Sequence, residues 1–595
     1  MAQTTQPENW MLGAGKPSQA LYGSDFMVEM LRELGIRYIA LNPGASYRGL
    51  HDSLVNFGDG GPKILMCAHE EIAVAMANGY ARVTGEPMAT GLHNVVGLQH
   101  AAMAIFNAWC DRTPIINLGG GGPQDANHRR STDWVHTALV QGNMVRDFVK
   151  FDDQPYSIDA ARESLIRAYR IATTEPKGPV YVCLDSDLQE QRIESPMMLP
   201  DLTLFAPPAP PAANPEALQR AASLLVGAQW PVIVVGEVGR NPAALPGLLE
   251  LAETLAAPVI EAGRFAIPNT HPLDLTPRRE AALKEADVVL ALDVPSLGVP
   301  LGPSVRERGA LQPVIGPNTD VIHITLQDLE KQSWVTDNMW MIPVAVPIAA
   351  DTAQAIPELS KLCRLGLLAM EGSAAQVEQR RSKVHAMHHA AREDTDAWID
   401  QAWDQTPVSS ARLHGELKER LKGQPWALVH GHGARWRDIL ETTDAGHGLG
   451  GGRGGGVGYG LPSSIGAALG WKDSGRLVVS VLGDGDFFMT SNALWTAAKY
   501  DIPLLVIIFN NLSYYNDEDH QERIALWRDR PVGNKGVGIR IEDPEPDFAS
   551  LARSLGVSSF GPVTDPNMVG EVLDEAIAVV KGGKPAVIDV HTQAR

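Results

Sequence analysis

The chain has 595 residues, of which 44% are hydrophobic, and its formal net charge is −20. A chain of this length can bury several hydrophobic cores, and about three domains are expected. The negative charge argues against nucleic acid and membrane surfaces as partners, and no apolar run is long enough to span a bilayer. Residues 1–19 are polar and lack a signal-peptide core, and the four cysteines form no CxxC or Cys/His cluster. We therefore expect a cytoplasmic protein.

Residues 20–195 are predicted to form a first α/β domain, because short β-rich runs alternate there with helical runs. Such alternation predicts a parallel, doubly wound sheet with functional groups at the carboxyl ends of its strands. Within it, the segment Lys63–Pro87 reads as a short strand, a carboxylate pair, and a helix that ends near Gly85. Glu70 and Glu71 stand at the start of that helix, where acidic residues also favour the helix dipole without any further role.

A proline-rich linker over residues 206–217 separates this region from a second α/β domain, predicted over residues 218–360. The first strand of the second domain ends in the sequence GEVG (residues 236–239) rather than in GxGxxG. A structural domain without bound flavin is therefore expected, so FAD is not expected as a cofactor of this chain.

A charged helical stretch around residues 371–403 leads into a third α/β domain, predicted over residues 407–595. It contains a glycine-rich segment, GHGLGGGRGGGVGYGLP (residues 446–462), which taken alone is typical of a flexible linker. The run LVVSVL (residues 477–482) then predicts a buried strand that ends at the tripeptide Gly483–Asp484–Gly485. A helix is predicted over Asn492–Tyr500, and the next strand ends on Asn510 and Asn511.

The spacing between these two strand ends predicts a metal site. A βαβ unit of this length is parallel, so both strand ends open on the same edge of the sheet. This places the Asp484 carboxylate beside the Asn511 amide oxygen, and two hard oxygen ligands suit Mg²⁺ shared with phosphate. Gly485 allows the backbone to approach the phosphate closely. The alternative is an ordinary βαβ unit whose turns merely favour Gly, Asp and Asn.

Together these segments resemble the thiamine-diphosphate (ThDP) enzymes, in which pyrimidine-binding, central and diphosphate-binding domains follow one another in this order. The resemblance implies that Gly483–Gly485 lies at the diphosphate. It also implies that Asp484, Asn511 and the main chain of Ser513 hold Mg²⁺ there.

In the glycine-rich segment, the resemblance places the carbonyl of Gly455 at the cofactor's amino group. The Val457 side chain then supports the bent shape of the cofactor. Val457 is smaller than the Leu, Ile or Met usual at that point.

Aligned on the sequence GYA, the family's cofactor-activating carboxylate falls on Glu70, which would bond to N1′ of the aminopyrimidine. His93 in TGLHN matches an acid–base histidine of the benzoylformate decarboxylases; the alternative is a histidine that caps a strand end. In this family the groups matching Glu70 and Asp484 meet only across a dimer interface. The resemblance therefore implies a homodimer or homotetramer whose active sites are formed by two chains.

The reaction is harder to predict, because the chain departs from both subfamilies that it resembles. The decarboxylase serine is replaced by Ala45, with Ser46 next to it, and the acetohydroxyacid synthase stretch GPGATN is replaced by residues 93–99. Polar residues (Asn516, Asp517 and His520) stand where the decarboxylase encloses a phenyl ring.

We therefore predict cleavage of a C–C bond next to a carbonyl, with decarboxylation of a polar 2-oxo acid as the leading reaction. Acetolactate-synthase-like carboligation and 2-hydroxyacyl lysis of a hydroxy ketone or related substrate are the alternatives. A non-catalytic regulatory paralogue would be expected to lack the activating carboxylate or the metal ligands, and this chain keeps them.

The segment Tyr514–Phe548 is long, charged and poor in periodicity, and it predicts a loop that acts as a lid over the cofactor. Its basic side chains would clamp a carboxylate or a phosphate; they are Arg523, Arg528, Arg530, Lys535 and Arg540. The alternative is a solvated surface segment with internal ion pairs, since acidic residues are interleaved with the basic ones.

Overall fold

A computed structural model describes residues 12–57, 60–302, 313–326, 342–443, 447–450 and 453–594. Some predictions lie outside the described residues, namely those for residues 1–11, for Gly446 and for the glycines at 451–452. The described residues form two compact units. The first comprises those of 1–209, 452–473 and 489–502, and the second those of 210–451, 474–488 and 503–595.

The amino-terminal region carries a six-stranded sheet in the order β3-β2-β4-β5-β7-β6, and all its neighbouring strands are parallel. The strands of this region are β1 (Lys16–Pro17), β2 (Tyr38–Leu41), β3 (Lys63–Met66), β4 (Met88–Leu92), β5 (Ile115–Gly121), β6 (Asp152–Asp153), β7 (Val180–Asp185) and β8 (Met198–Leu199). Its helices are α1 (Gly23–Glu33), α2 (Arg48–Asn56), α3 (Glu70–Thr84), α4 (Asn94–Cys110), α5 (Ser131–Trp134), α6 (Ile158–Thr173) and α7 (Ser186–Glu190). β1 and β8 pair separately as an antiparallel ribbon.

The central region carries a five-stranded parallel sheet in the order β10-β9-β11-β12-β13. Its elements are α8 (Pro215–Gly227), β9 (Pro231–Val235), α9 (Leu245–Leu255), β10 (Val259–Glu261), α10 (Arg279–Glu285), β11 (Val288–Leu292), β12 (Asp320–Thr325), β13 (Val346–Ala349), α11 (Thr352–Ala369) and α12 (Ser373–Ala402). Every residue of β9 and β11 is buried, as expected for strands covered by helices on both faces.

The third region carries a five-stranded parallel sheet in the order β14-β15-β16-β18-β17. Its strands are β14 (Trp426–Leu428), β15 (Leu477–Gly483), β16 (Leu505–Asn510), β17 (Ser558–Val563) and β18 (Ala586–His591). Its helices are α13 (Ser410–Leu421), α14 (Trp436–Ile439), α15 (Gly460–Gly470), α16 (Asp484–Met489), α17 (Ala493–Lys499), α18 (Tyr515–Trp527), α19 (Phe548–Ser554) and α20 (Val569–Lys581).

Within the first unit, α3 and α15 cross at very short range, and glycines make this approach possible. A Cβ on Gly79 would lie 1.8 Å from the carbonyl oxygen of Ser463, and one on Gly466 would lie 1.8 Å from that of Met76. Side chains at these positions would force the helices apart. The carboxyl end of α3 is fixed by Gly85, whose φ of +75° ends the helix in the left-handed region where the sequence predicted its end.

Three parallel-sheet α/β regions confirm the predicted fold class. The predicted helix over Asn492–Tyr500 is α17, shorter by one residue at each end, and the charged stretch around residues 371–403 is α12. Within the described part of the chain, no helix is both long and apolar enough to cross a membrane. The domain boundaries stay predictions.

Candidate functional site

Glu70 is the first residue of α3 and is buried, with a side chain that is 3% exposed. The chain enters the helix through His69, whose ring accepts a hydrogen bond from the backbone N–H of Glu71 and thereby caps the helix. This cap directs the Glu70 side chain inward. Glu71, its neighbour in sequence, is only partly buried.

Both carboxylate oxygens of Glu70 have a polar partner in the same unit. The Asn42 amide donates to Oε1 at 3.2 Å, and Nδ1 of His100 lies 3.1 Å from Oε2. A Cβ on Gly97 would lie 3.1 Å from Oε1, so glycine at that position keeps α4 close to the carboxylate. The site therefore holds one buried carboxylate between an amide donor and an imidazole.

His93 precedes the first residue of α4 and is partly buried. Its Nδ1 lies 2.9 Å from the hydroxyl oxygen of Ser46, and its ring packs edge-on against His136 with 5.5 Å between centroids. Burial and the neighbouring His136 lower the pKa of His93, while Glu70 and Asp133 act in the opposite direction. His93 is therefore a neutral imidazole at neutral pH, able to accept a proton.

The serine next to the replaced one reaches this histidine. Ala45 is exposed, whereas Ser46 is fully buried and meets His93. A Cβ on Gly44 would lie 2.6 Å from the Cβ of His93, so the glycine allows the two segments to pack together. The structure thus brings Asn42, Ser46, Glu70 and His93 into one region of the first unit.

In the second unit, the predicted metal ligands meet at the carboxyl ends of β15 and β16. The backbone N–H of Ser513 lies 3.1 Å from Oδ2 of Asp484 and 3.1 Å from Oδ1 of Asn511. Leu512, with a φ of +55°, turns the chain so that this N–H points back at both side chains. The parallel register that the sequence implied is therefore present, and the two oxygens face one point.

This donor set fits Mg²⁺, because it offers hard oxygen atoms and no competing sulfur or imidazole. The Asp484 side chain is almost fully buried, and burial raises its pKa to about 6. Hydrogen bonds from the backbone of Gly485 and Ser513 act in the opposite direction. A buried carboxylate with no described lysine or arginine against it is the kind of group that a bound dication stabilises.

The glycines around Asp484 make room for side chains of the second unit. A Cβ on Gly485 would lie 2.3 Å from the ring of Tyr514, and one on Gly483 would lie 3.2 Å from the ring of His432. The prediction that Gly485 serves the approach of a phosphate stays untested, since the contact that explains this glycine here is the tyrosine ring.

In the glycine-rich segment, Gly455 adopts a φ of +70° with open space around its missing Cβ, so its backbone conformation rather than crowding explains the glycine. Val457 is 44% exposed, a large fraction for an apolar side chain. The segment is held in the first unit by Tyr459, whose hydroxyl lies 3.1 Å from the buried Asp111 carboxylate. Gly455 and Val457 belong to the first unit, and Asp484 belongs to the second.

The predicted lid is partly helical, and the prediction of a loop over its whole length is wrong. Residues Tyr515–Trp527 form α18, because charged residues one turn apart pair along the helix, as Asp519 and Arg523 do. Two more of the proposed anion-binding cations are also paired within the segment, Lys535 with Glu522 at 2.7 Å and Arg540 with Glu518 at 3.0 Å. For these cations, the ion pairs favour the alternative interpretation of a solvated surface segment with internal ion pairs.

On α18, the residues that were expected to face the substrate are exposed in this unit, namely Asn516, Asp517 and His520. The buried acidic residue is instead Glu518, which accepts a hydrogen bond of 2.6 Å from the Ser513 hydroxyl. Sequence reasoning missed Glu518 and also His100. The positions of both offered a clue, since Glu518 lies one helical turn after Tyr514 and His100 two turns after His93.

Comparisons with known proteins agree with this geometry. Three family models match the chain in order: the N-terminal TPP binding domain of thiamine pyrophosphate enzymes over residues 21–144, their central domain over 218–359, and their C-terminal TPP binding domain over 436–590. The chain therefore belongs to the thiamine pyrophosphate enzymes, and it is a ThDP-dependent enzyme.

Individual relatives carry different activities in their names. A probable acetolactate synthase large subunit of Methanocaldococcus jannaschii is 24% identical over 96% of this chain and 91% of the relative. A probable 2-ketoarginine decarboxylase of Pseudomonas aeruginosa is 27% identical over 91% and 89%. The structure of a 4-hydroxybenzoylformate decarboxylase of Rhodococcus jostii RHA1 has a TM-score of 0.73 at 21% identity, covering 96% of this chain and 99% of that one.

Proposed function

We propose that this enzyme decarboxylates a polar 2-oxo acid with ThDP and Mg²⁺, at active sites formed by two chains of a homodimer or homotetramer. The observation that carries the proposal is the pairing of His93 with Ser46 in the same region as the buried Glu70. A decarboxylase must return a proton to the carbon that loses CO₂, and a neutral histidine beside a hydroxyl is suited to hold and deliver that proton.

Each half of the proposed site has its own task. Glu70 would bond to the aminopyrimidine, with the Asn42 amide holding its Oε1 atom in place. Asp484, Asn511 and the main chain of Ser513 would hold Mg²⁺ and, through it, the diphosphate. When bound, ThDP supplies the nucleophile and the electron sink for cleavage next to a carbonyl.

The preference for a polar substrate rests on the acidic and polar residues of α18. Asp517 and His520 are exposed side chains on the helix that follows the metal-ligand turn. The relative named as a 2-ketoarginine decarboxylase suggests a cationic example, a 2-oxo acid with a guanidinium group. An acidic helix is better suited to that group than to a phenyl ring.

Carboligation of the acetolactate-synthase type is the second candidate, because several relatives carry that name. The same His93–Ser46 pair separates the two reactions. A group that protonates the acyl carbon releases an aldehyde and ends the reaction before an acceptor can be joined to it. This pair therefore favours decarboxylation.

The test is a panel of 2-oxo acids offered to purified enzyme with ThDP and Mg²⁺, namely pyruvate, benzoylformate and 5-guanidino-2-oxopentanoate, each with and without an acceptor aldehyde. Release of CO₂ with free aldehyde, fastest for the guanidino acid, is expected. In that reaction a His93→Gln variant should turn over about 10- to 100-fold more slowly. Release of CO₂ only when an acceptor is present would instead assign carboligation. Silence across the panel with ThDP bound would indicate a lyase for another substrate.

A further inference from the structure

Glu70 is buried, yet its role requires it to gain and lose a proton. Its side chain is 3% exposed, and Oε1 is occupied by the Asn42 amide, which can donate a hydrogen bond but cannot carry a proton to or from a carboxylate. The partner at Oε2 is the Nδ1 atom of His100 at 3.1 Å. This partner is titratable, and its side chain is 48% exposed. His100 therefore spans the distance between the buried carboxyl group and solvent.

A second histidine, His69, packs against His100. The rings of His69 and His100 are stacked, with centroids 4.6 Å apart and an interplanar angle of 21°. Two imidazolium ions at this distance repel each other. His69 accepts the backbone N–H of Glu71 at its Nδ1, so its lone pair there is in use. Burial, and then His100, lower the pKa of His69, while Glu70 raises it. The arrangement keeps His69 neutral.

We propose that His100 passes protons between solvent and the Glu70 carboxyl group. The inference rests on the proposed function of Glu70. In the transfer, the Nδ1–H bond of a His100 imidazolium breaks as an O–H bond forms at Oε2 of Glu70. The imidazolium is formed beforehand, when Nε2 of the Nδ1–H tautomer takes a proton from water or buffer, so the transfer leaves a neutral imidazole with its proton on Nε2, and the reverse sequence returns it. His100 acts through Glu70 and is a positioning residue for the reaction.

Other titratable groups near Glu70 are worse placed for this task. The Glu70 charge acts to raise the pKa of His93, but the Nδ1 atom of His93 is engaged by Ser46. Burial, and to a smaller extent the Glu70 charge, raise the pKa of the Tyr47 side chain above the usual range. Its hydroxyl donates to the backbone carbonyl of Asn42. Of the described groups that face Glu70, His100 is the one that combines direct contact with exposure.

The first test uses the protein without cofactor or substrate. Histidine side chains are labelled and titrated by NMR in the parent and in Glu70→Gln. The substitution changes the hydrogen-bond partner of His100 at Nδ1, so the Nδ1 chemical shift of His100 should differ between the two proteins. His389 lies on α12, is exposed and pairs with Glu393, so it serves as the internal reference and should not move. An Nδ1 chemical shift of His100 that is the same in both proteins would overturn the contact.

The second test separates proton transfer from hydrogen bonding. His100→Ala removes both functions, whereas His100→Asn keeps an amide donor toward Oε2 but cannot titrate. Both variants should turn over about 10-fold more slowly, and added imidazole should restore turnover in His100→Ala in proportion to its concentration. The control His389→Asn should match the parent.

Parental turnover in His100→Asn would show that the hydrogen bond is sufficient and would overturn the relay. Failure of imidazole to restore His100→Ala would do the same. The two proposals fail separately. A changed Nδ1 chemical shift of His100 without CO₂ release overturns only the proposed reaction, whereas CO₂ release with unaffected His100 variants overturns only the relay.

Discussion

The amino-terminal and central sheets are both parallel, and both place buried carboxylates near the carboxyl ends of strands, but the partners of these carboxylates differ. In the central region, Asp293 follows β11 and lies 3.5 Å from the Arg240 guanidinium, and Glu237 follows β9 and lies 3.3 Å from that of Arg264. In the amino-terminal region, Glu70 meets an amide and an imidazole, and no arginine or lysine of the described residues pairs with it.

The difference lies in whether the carboxylate can change its protonation state. An arginine stays charged at any ordinary pH and holds its partner ionised, which suits a structural ion pair. An amide and an imidazole leave the carboxylate able to take up a proton. Two sheets of similar architecture therefore serve different purposes, and the residues that face the carboxylate decide which purpose each one serves.

The largest expected effect comes from removing the protonatable carboxylate. Glu70→Gln keeps the volume and the bond from Asn42 but cannot exchange a proton, so turnover should fall about 1,000-fold. Steady-state CO₂ release with saturating ThDP measures this. Glu71→Gln, one residue further along the same helix, is the matched control and should stay within about 3-fold of the parent. Equal losses in the two variants would contradict the assignment of the role to Glu70.

The next largest effect tests the buried ion pairs of the central region. Arg437 donates to Glu261, whose side chain is 2% exposed, so Arg437→Met leaves a buried charge without its cation. The free energy of unfolding should fall by about 3 kcal/mol, measured by urea denaturation. Arg364→Met removes an exposed pair with Glu250 and should change it by less than about 0.5 kcal/mol. Turnover per folded Arg437→Met molecule should equal that of the parent; a selective loss of turnover would break the comparison.

The third sheet offers a carboxylate of an intermediate kind, held by backbone N–H groups. Asp484→Asn keeps an oxygen at the metal point but removes its charge, so about 10- to 100-fold more Mg²⁺ should be needed for half-maximal ThDP binding. Fluorescence titration of ThDP binding at increasing Mg²⁺ measures this. Asp486→Asn, two residues further along α16, is the control. An unchanged Mg²⁺ requirement in Asp484→Asn would remove that residue from the ligand set.

The smallest effect concerns Asp274, a buried carboxyl group of the central region whose pKa is raised. Burial, and then the neighbouring Glu261, raise the pKa of Asp274 to about 7, although Thr276 donates two hydrogen bonds to it. The folded protein therefore holds a proton that the unfolded chain releases near pH 4. The stability that this proton contributes is lost as pH rises through about 7.

Asp274→Asn should remove that loss, so that the free energy of unfolding depends less on pH, by about 1 kcal/mol between pH 6 and 8. Urea denaturation at the two pH values measures the difference. If the parent and the variant show the same pH dependence, Asp274 is ionised throughout this range and belongs with the other central carboxylates.

The sequence determined a large part of this protein by itself. Alternating apolar runs predicted the three parallel sheets, and the βαβ spacing brought Asp484 and Asn511 to one sheet edge, where they share the N–H of Ser513. The helix start at Glu70 and its end at Gly85 followed from local turn chemistry. These features follow from short-range periodicity, from turn chemistry and from the parallel pairing that a βαβ unit imposes on its two strands.

Only the tertiary structure decided what faces each functional group. The contact of His100 with Glu70 joins residues 30 positions apart, and that of Ser46 with His93 joins residues 47 apart. The inward turn of Glu518 on a segment predicted as a loop depends on Arg540, 22 positions away. Contacts of this kind arise when separate elements pack together, and packing depends on the shapes of all the side chains between them. The sequence therefore shows which chemical groups are present, whereas the tertiary structure determines which residues contact them.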